Sequence, residues 1–421
     1  MSNLAIPKNK RVIGQRELVA LTAFMMSLQA LAIDAMLPAL DEMARELGVA
    51  EGNQRQLVVA VFLLSSGVGA LLPGSFADRF GRRSVAMFCI TSYALLSLVI
   101  ALIHDFTLLL VIRALQGVLS AGLMVLPATI IRDRYEGDQM ARLLSLVGAV
   151  FIVVPVLAPS LGQAVLTFAG WRWIFVVLAA MAGMAGFWAW KRLPETLDPL
   201  DRQMIELPVV MRNMTHALLN RSAIGYVLGT SLLIGAVFGY VNSSQQLIGE
   251  HFGMGTWFPI VFGGTAAMMV LSNLVNSRIV ERFGARRVSH TGVLAFIAVS
   301  ALQVLAAFRH DGDIVYFLPL MATNLALLGF LGANFGSIAM QPFAHIAGAA
   351  SSIQSFFRTF GAAVVGLFIG QSYDGTARPF AIALLICSVL ALLLVLYSEK
   401  GRLFRRLNAP AKPETKPGGV Y

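Results

Sequence analysis

Gly74-Ser75-Phe76-Ala77-Asp78-Arg79-Phe80-Gly81-Arg82-Arg83 points to a duplicated architecture, because an imperfect copy stands about half a chain later. The copy reads Glu281-Arg282-Phe283-Gly284-Ala285-Arg286, and like the first it closes a long apolar run and opens another. An internal repeat on that scale implies two like halves. A glycine-bearing basic loop between apolar runs implies two membrane spans joined on the side where Lys and Arg collect.

Composition widens this reading to the whole chain. Of 421 residues 57% are hydrophobic, the mean hydropathy is +0.75, and only 13% are charged. That leaves too little polar surface for soluble domains. The charges cluster between apolar stretches, as loops between spans would have them. At about 20 residues per span twelve helices are predicted, near 18–40, 56–76, 84–103, 107–130, 142–167 and 173–193, then 222–248, 256–277, 288–308, 314–339, 348–371 and 378–398.

The net charge of +10 excludes little by itself, but the basic residues lie in short loops without aromatic interleaving, so no nucleic-acid partner is implied. Most of the 32 Lys and Arg fall on the side of the termini. The opposite side holds Arg45, Arg55, Arg172, Arg309 and Arg378, and Arg113 and Arg358 fall inside predicted helices. The positive-inside rule therefore places both termini in the cytoplasm. The first apolar run is long enough to span and is followed by no small-residue cleavage site, so it stays as the first helix. Residues 196–220, rich in charge and proline, read as a linker between bundles at 1–195 and 221–400, with a cytoplasmic tail at 401–421. Cys89 and Cys387 lie singly in apolar runs and read as packing residues, and neither a metal site nor a cofactor motif is found.

Four segments carry chemistry. In the loop, Gly81 permits a tight turn, Gly74 a close helix approach, and Asp78 can pair with nearby arginines or a helix N-terminus. Together with Arg79, Arg82 and Arg83 these would make a latch; the alternative is that the arginines serve topology alone. In the second copy Ser277, Glu281 and Ala285 replace Gly74, Asp78 and Arg82, a degraded version. In the fourth span, Arg113 stands well inside a helix, at a cost of about 3 kcal/mol unless it finds acceptors. Arg113, Gln116, Gly117, Ser120 and Met124 share a stripe. Snorkelling to the helix end is the alternative.

In the first span, Ala23, Ser27, Ala30 and Asp34 share a face that could line a pore. A carboxylate there could take up and release a proton; alternatively Asp34 only caps the helix end. In the fifth span, Pro155 and Ala158-Pro159-Ser160-Leu161-Gly162 could bend the helix and shape a cavity or gate. Two segments bracketing the sixth span, Gly170-Trp171-Arg172-Trp173-Ile174-Phe175 and Leu193-Pro194-Glu195-Thr196, read as an interfacial aromatic belt and a helix stop.

The second half supplies Asn242, Gln245, Gln246, Asn273, Asn324 and Asn334, each a cavity group or interhelical glue. Arg358, deep in the eleventh span, could accept an anionic group, pair with an acid or contact the loop signature. Eighteen methionines and 27 phenylalanines would suit a cavity that repacks around varied apolar substrates, or a lipid-facing surface and core.

These motifs resemble the major facilitator superfamily, and within it the drug/proton antiporters of the bicyclomycin and chloramphenicol resistance type. The resemblance rests on the Gly74–Arg83 loop, on Leu109-Leu110-Val111-Ile112-Arg113-Ala114-Leu115-Gln116-Gly117, on Asp34-Ala35-Met36-Leu37-Pro38 and on the Pro159 segment. The fifth-span segment departs from the family pattern at Ala158 and Gln163, and Met26 stands where some members carry a second acid. The resemblance implies an all-α major facilitator fold of twelve transmembrane helices in two six-helix pseudo-symmetric halves. It implies a monomeric bacterial inner-membrane antiporter exporting small amphipathic compounds, drugs or antibiotics, against protons by alternating access, with Asp34 and Arg113 coupling the proton. A metabolite or sugar exporter or symporter is the alternative. A membrane sensor or enzyme is more remote, since the six histidines are scattered and no nucleophile stands beside a base.

Overall fold

A computed structural model describes residues 13–49, 52–135, 137–197, 215, 219–311, 313–346 and 354–404. The linker expected over 196–220 and the tail over 401–421 lie largely outside these residues. The described residues form helices and no strand. In chain order the α-helices are α1 (Gln15–Asp34), α2 (Leu40–Glu46), α3 (Leu57–Gly69), α4 (Pro73–Phe80), α5 (Arg82–Ala101), α6 (Phe106–Ser120), α7 (Gly122–Arg132), α8 (Gly137–Phe168) and α9 (Arg172–Arg192). There follow α10 (Arg221–Ser244), α11 (Phe258–Phe283), α12 (Ala285–Arg309), α13 (Ile314–Met340), α14 (Ala362–Gln371) and α15 (Arg378–Ser398).

Ten helical segments among the described residues are long and apolar enough to cross a membrane. An eleventh arises if Gly52–Gly69 and Pro73–Phe80, bent by 48°, count as one span. The bend has a local cause: Pro73 has no N–H to continue the ladder of α3, so the helix restarts there. The span expected at 348–371 begins outside the described residues and continues as a π-helical turn, Phe357–Gly361, and α14. The count of twelve is thus not reached by the described helices alone.

The repeat foreseen in the sequence appears as repeated neighbourhoods. Helix α1 packs on α7, α8 and α9, as α10 packs on α13, α14 and α15. Helix α3 lies on α6 as α11 lies on α13, and α5 touches α6 and α9 as α12 touches α13 and α15. The halves meet along two seams, α3 against Phe357–Gly361 and α14, and α8 against α11.

At one face, which we call the terminal face, Glu17 at the start of α1 holds Arg192 at the end of α9, with N···O at 2.6 Å. On the same face Arg286 at the start of α12 holds Glu399 after α15 at 2.7 Å. The opposite face carries the ends of α1, α10 and α14.

Candidate functional site: a polar core in the first half, a terminal-face latch and a far-face clasp

Asp34 is the last residue of α1 and is 5% exposed. Among the described residues no hydrogen bond or ion pair engages its carboxylate. The chain then turns through Leu37–Ala39, and α8 comes against this turn so closely that a side chain at Gly162 would place Cβ 1.8 Å from the Ala35 carbonyl oxygen. The backbone cannot yield that distance, so only glycine permits the approach. The fifth-span segment and Asp34 are therefore neighbours. Pro155 and Pro159 lie inside α8, which remains one helix from Gly137 to Phe168.

Arg113 is fully buried. Its Nη2 donates to the Ala32 carbonyl at 2.9 Å, its Nε to the Val58 carbonyl at 3.1 Å and its Nη1 to Gln116 Oε1 at 2.7 Å. The guanidinium also lies over the Phe62 ring, 4.2 Å from its centroid. It does not snorkel, and it reaches α1 one half-turn before Asp34, yet no ion pair joins the two side chains in this structure.

The stripe expected to line a cavity instead faces other helices. Gln116 Nε2 donates to Ser97 Oγ at 2.8 Å, Ser120 Oγ to the Gln116 carbonyl at 2.5 Å, and Gln29 Nε2 to the Ser120 carbonyl at 2.6 Å. Ser27 is buried and bonded to its own helix at Ala23 O. The physical reason is the solvent: without water, polar side chains on touching helices satisfy one another. Of that stripe only Met124 is partly open. Gln29 and Tyr93, whose hydroxyl donates to the Leu28 carbonyl at 2.8 Å, belong to this network and were not singled out from the sequence.

In the second half, Asn334 Nδ2 donates to Asn276 Oδ1 at 3.0 Å between α13 and α11, and Asn273 bonds the Met269 carbonyl of its own helix. Asn324 accepts from Ser300 at 3.4 Å. Asn334 and Asn324 thus bond across helices, while Asn273 is tied to its own helix. Asn242 differs: it is 2% exposed and neither of its amide atoms has a partner among the described residues. Gln245, beside it, lines a cavity of about 180 Å³ between the halves with Pro38, Asp41, Glu42 and Gln163.

The loop signature builds a cluster at the terminal face. Arg82 Nη1 meets Asp78 Oδ1 at 2.6 Å and its Nε meets Asp133 Oδ2 at 2.9 Å. Glu195 accepts the backbone N–H groups of Arg82 at 2.8 Å and Arg83 at 3.2 Å, so its carboxylate sits on the N-terminus of α5. Gly81 has φ +95°, and a Cβ there would lie 2.3 Å from that carboxylate. Arg83 donates to the Trp190 carbonyl at 2.8 Å, whereas Arg79 lies over the ring of its neighbour Phe80. Nothing lies within 4 Å of a Cβ built on Gly74, so no close approach occurs there in this state. Glu195 is more than part of a helix stop, and Asp133 was missed; neither is marked by local pattern, since their partners are remote in sequence. Trp171 likewise leaves the aromatic belt, being fully buried with Nε1 donating to Glu46 at 2.6 Å, while Trp173 is exposed as a belt residue would be.

The family model described as Major Facilitator Superfamily matches residues 21–366 of this chain. The chain belongs to the major facilitator superfamily. Among curated relatives, the bicyclomycin resistance protein homolog of Haemophilus influenzae is 25% identical over 365 residues, covering 86% of this chain and 90% of that protein. The multidrug resistance protein MdtL of Klebsiella pneumoniae is 29% identical over 380 residues, covering 86% and 91%. Of solved structures, a D-xylose-proton symporter matches with a TM-score of 0.73 at 15% identity, over 92% of this chain and 98% of that one. That last likeness bears on fold alone.

In this major facilitator chain, the polar contacts that join the halves gather at the far face. Arg55, 5% exposed, holds Asp41 at 2.9 Å in its own half and Glu250 at 2.5 Å in the other. Gln56 donates to Gln246, and Asn53 Nδ2 donates to the carbonyls of Gln371 at 3.1 Å and Tyr373 at 2.8 Å. The Tyr373 hydroxyl donates to the Gln246 carbonyl at 3.3 Å. Burial, and next the Glu250 carboxylate, push that phenol up to about 12, so it keeps its proton. Arg55 read from sequence as one more loop charge; its role as a clasp shows only when two remote acids converge on it.

Proposed function

We propose that this transporter is a proton-coupled antiporter that exports small amphipathic compounds, drugs or antibiotics among them, across a bacterial inner membrane by alternating access. The observation that carries the proposal is Asp34: a buried carboxylate without a protein partner, at the tip of α1, pressed against the fifth-span segment through Gly162. A group so placed gains or loses a proton without breaking a structural contact. The relatives named for bicyclomycin and multidrug resistance support the substrate class.

On this reading residues 1–195 and 221–400 are two bundles that rock about their seams, the chain is a monomer, and its termini are cytoplasmic. The clasp around Arg55 then closes the periplasmic side, and the structure is the inward-facing state. The cluster of Asp78, Arg82, Asp133 and Glu195 is a cytoplasmic latch.

Breaking one cross-half bridge should move the balance. Glu250→Gln keeps Arg55 on Asp41 but removes the charge of the second half. Because both acids are about half exposed, with side-chain accessibilities of 42% and 44%, the loss is nearer ~1 kcal/mol than the larger cost of a fully buried pair. That is a shift of roughly fivefold toward the outward-open form, read from the spacing of spin labels placed on the far ends of α3 and α14. An unmoved distance distribution would remove the clasp from the cycle.

The function itself is tested by a drug-susceptibility panel in an efflux-deficient host. Raised tolerance to several amphipathic compounds, dependent on Asp34, is expected. No change for any drug, with uptake or release of a sugar or metabolite instead, would replace the proposal by that alternative.

A further inference from the structure

Arg358 lies in the π-helical turn Phe357–Gly361, and from it to Gln371 at the far face the helix climbs about 20 Å at 1.5 Å per residue. Within a hydrocarbon layer of about 30 Å it stands inside the layer, about two-thirds of the way across from the far face. Its direction follows from its neighbours. The backbone of Phe360 packs on Gly67 of α3, and Gly361 faces Ser231 of α10. Residues two apart point to nearly opposite sides of a helix, so Arg358 turns away from α3. The guanidinium lies deep within the protein, yet the side chain is exposed. Depth and exposure together put it on the wall of an internal cleft.

Among the described residues Arg358 has no hydrogen bond, ion pair or ring contact. The acids that could have answered it are engaged: Asp78 and Asp133 with Arg82, Asp41 and Glu250 with Arg55, Glu399 with Arg286. Asp34, the unpaired acid, makes no ion pair with it. Pairing with an acid and contact with the loop signature, two of the roles open from the sequence, are therefore not realised here. An unneutralised intramembrane cation is retained for use, and π-turns are frequent at functional sites. A guanidinium fork matches a planar carboxylate or sulfonate, which it can hold through two parallel hydrogen bonds.

We propose that Arg358 binds the anionic group of the exported solute, and that the solute class is amphipathic organic anions bearing a carboxylate or sulfonate. This rests on the reading of the chain as an exporter of amphipathic compounds.

The test is equilibrium binding to full-length protein purified in uncharged detergent, with radiolabelled 1-naphthoate, 1-naphthalenesulfonate and their neutral amides as probes. The wild type should bind the anions at least about tenfold more tightly than the amides. Arg358→Gln should erase that preference by weakening the anions alone, and Arg358→Lys, which keeps charge without the fork, should retain part of it. Equal binding of acids and amides by the wild type, or equal loss of both in Arg358→Gln, overturns the proposal. So does displacement of the anions by phosphatidylglycerol at equimolar amounts, which would assign the site to a lipid headgroup. Thermal unfolding of each variant separates misfolding from lost affinity, and Arg358→Lys serves if Arg358→Gln is unstable. Binding in detergent needs no proton gradient. Absence of anion preference in a wild type that exports against a proton gradient strikes this inference alone, while anion preference in a wild type without proton-driven export strikes the proposed function alone.

Discussion

Asp34→Asn is expected to abolish proton-driven export while leaving the protein inserted, folded and able to exchange substrate between the two sides. The amide has the shape of the carboxylate, and Asp34 has no protein partner among the described residues to lose. Stability should therefore change little. What is lost is the proton: one charge crossing 100 mV supplies about 2.3 kcal/mol, equivalent to a substrate gradient of about fiftyfold. The variant should sustain no gradient, yet show counterflow close to wild type. Uphill accumulation by a well-expressed Asn variant would take the coupling role from Asp34.

Arg113→Ala should be the most damaging single change in the first half. It removes the guanidinium's bonds to the Ala32 and Val58 carbonyls and to Gln116 Oε1 in a buried setting. Each hydrogen bond made by a charged group contributes about 1.5–3 kcal/mol, so a total near 3 kcal/mol or more is expected, or at least a hundredfold loss in properly assembled, active protein. Arg113→Lys keeps the charge but cannot serve three acceptors from one ammonium, and should fall between. The structure adds a reason that the motif alone did not: the backbone of α1 accepts from Arg113 within a half-turn of Asp34, so loss of the fork would loosen the segment that positions the acid. Melting curves in detergent and transport rates decide this together. An Ala variant with unchanged melting and transport would show that the bonds to α1 and α3 are dispensable.

Much of the fold was legible because each apolar run is bounded by charge. The span expected at 378–398 is the helix Arg378–Ser398, and that expected at 107–130 lies within Phe106–Arg132. The repeat was legible at Gly81 and Gly284, both of which have positive φ at the same kind of turn. The site was legible only where a residue is costly by itself, as with Arg113 and Asp34. Helical periodicity set Gln116 and Ser120 on one stripe with Arg113, but it cannot say whether a stripe meets a cleft or another helix, and here it meets other helices. Arg55, Asp133 and Glu195 were illegible for a different reason: an exposed-looking loop charge becomes a clasp or a cap only through partners on other elements, 51 residues away for Asp133 and Arg82, 113 for Glu195 and Arg82 and 195 for Arg55 and Glu250.

Whether a proton on Asp34 drives export is decided in proteoliposomes of the purified protein loaded with a transported compound and given an imposed pH gradient with the membrane potential clamped. The wild type should move the compound against its own gradient, with protons moving the opposite way, and Asp34→Asn should carry it only downhill. Wild-type transport indifferent to the direction of the pH gradient would contradict it.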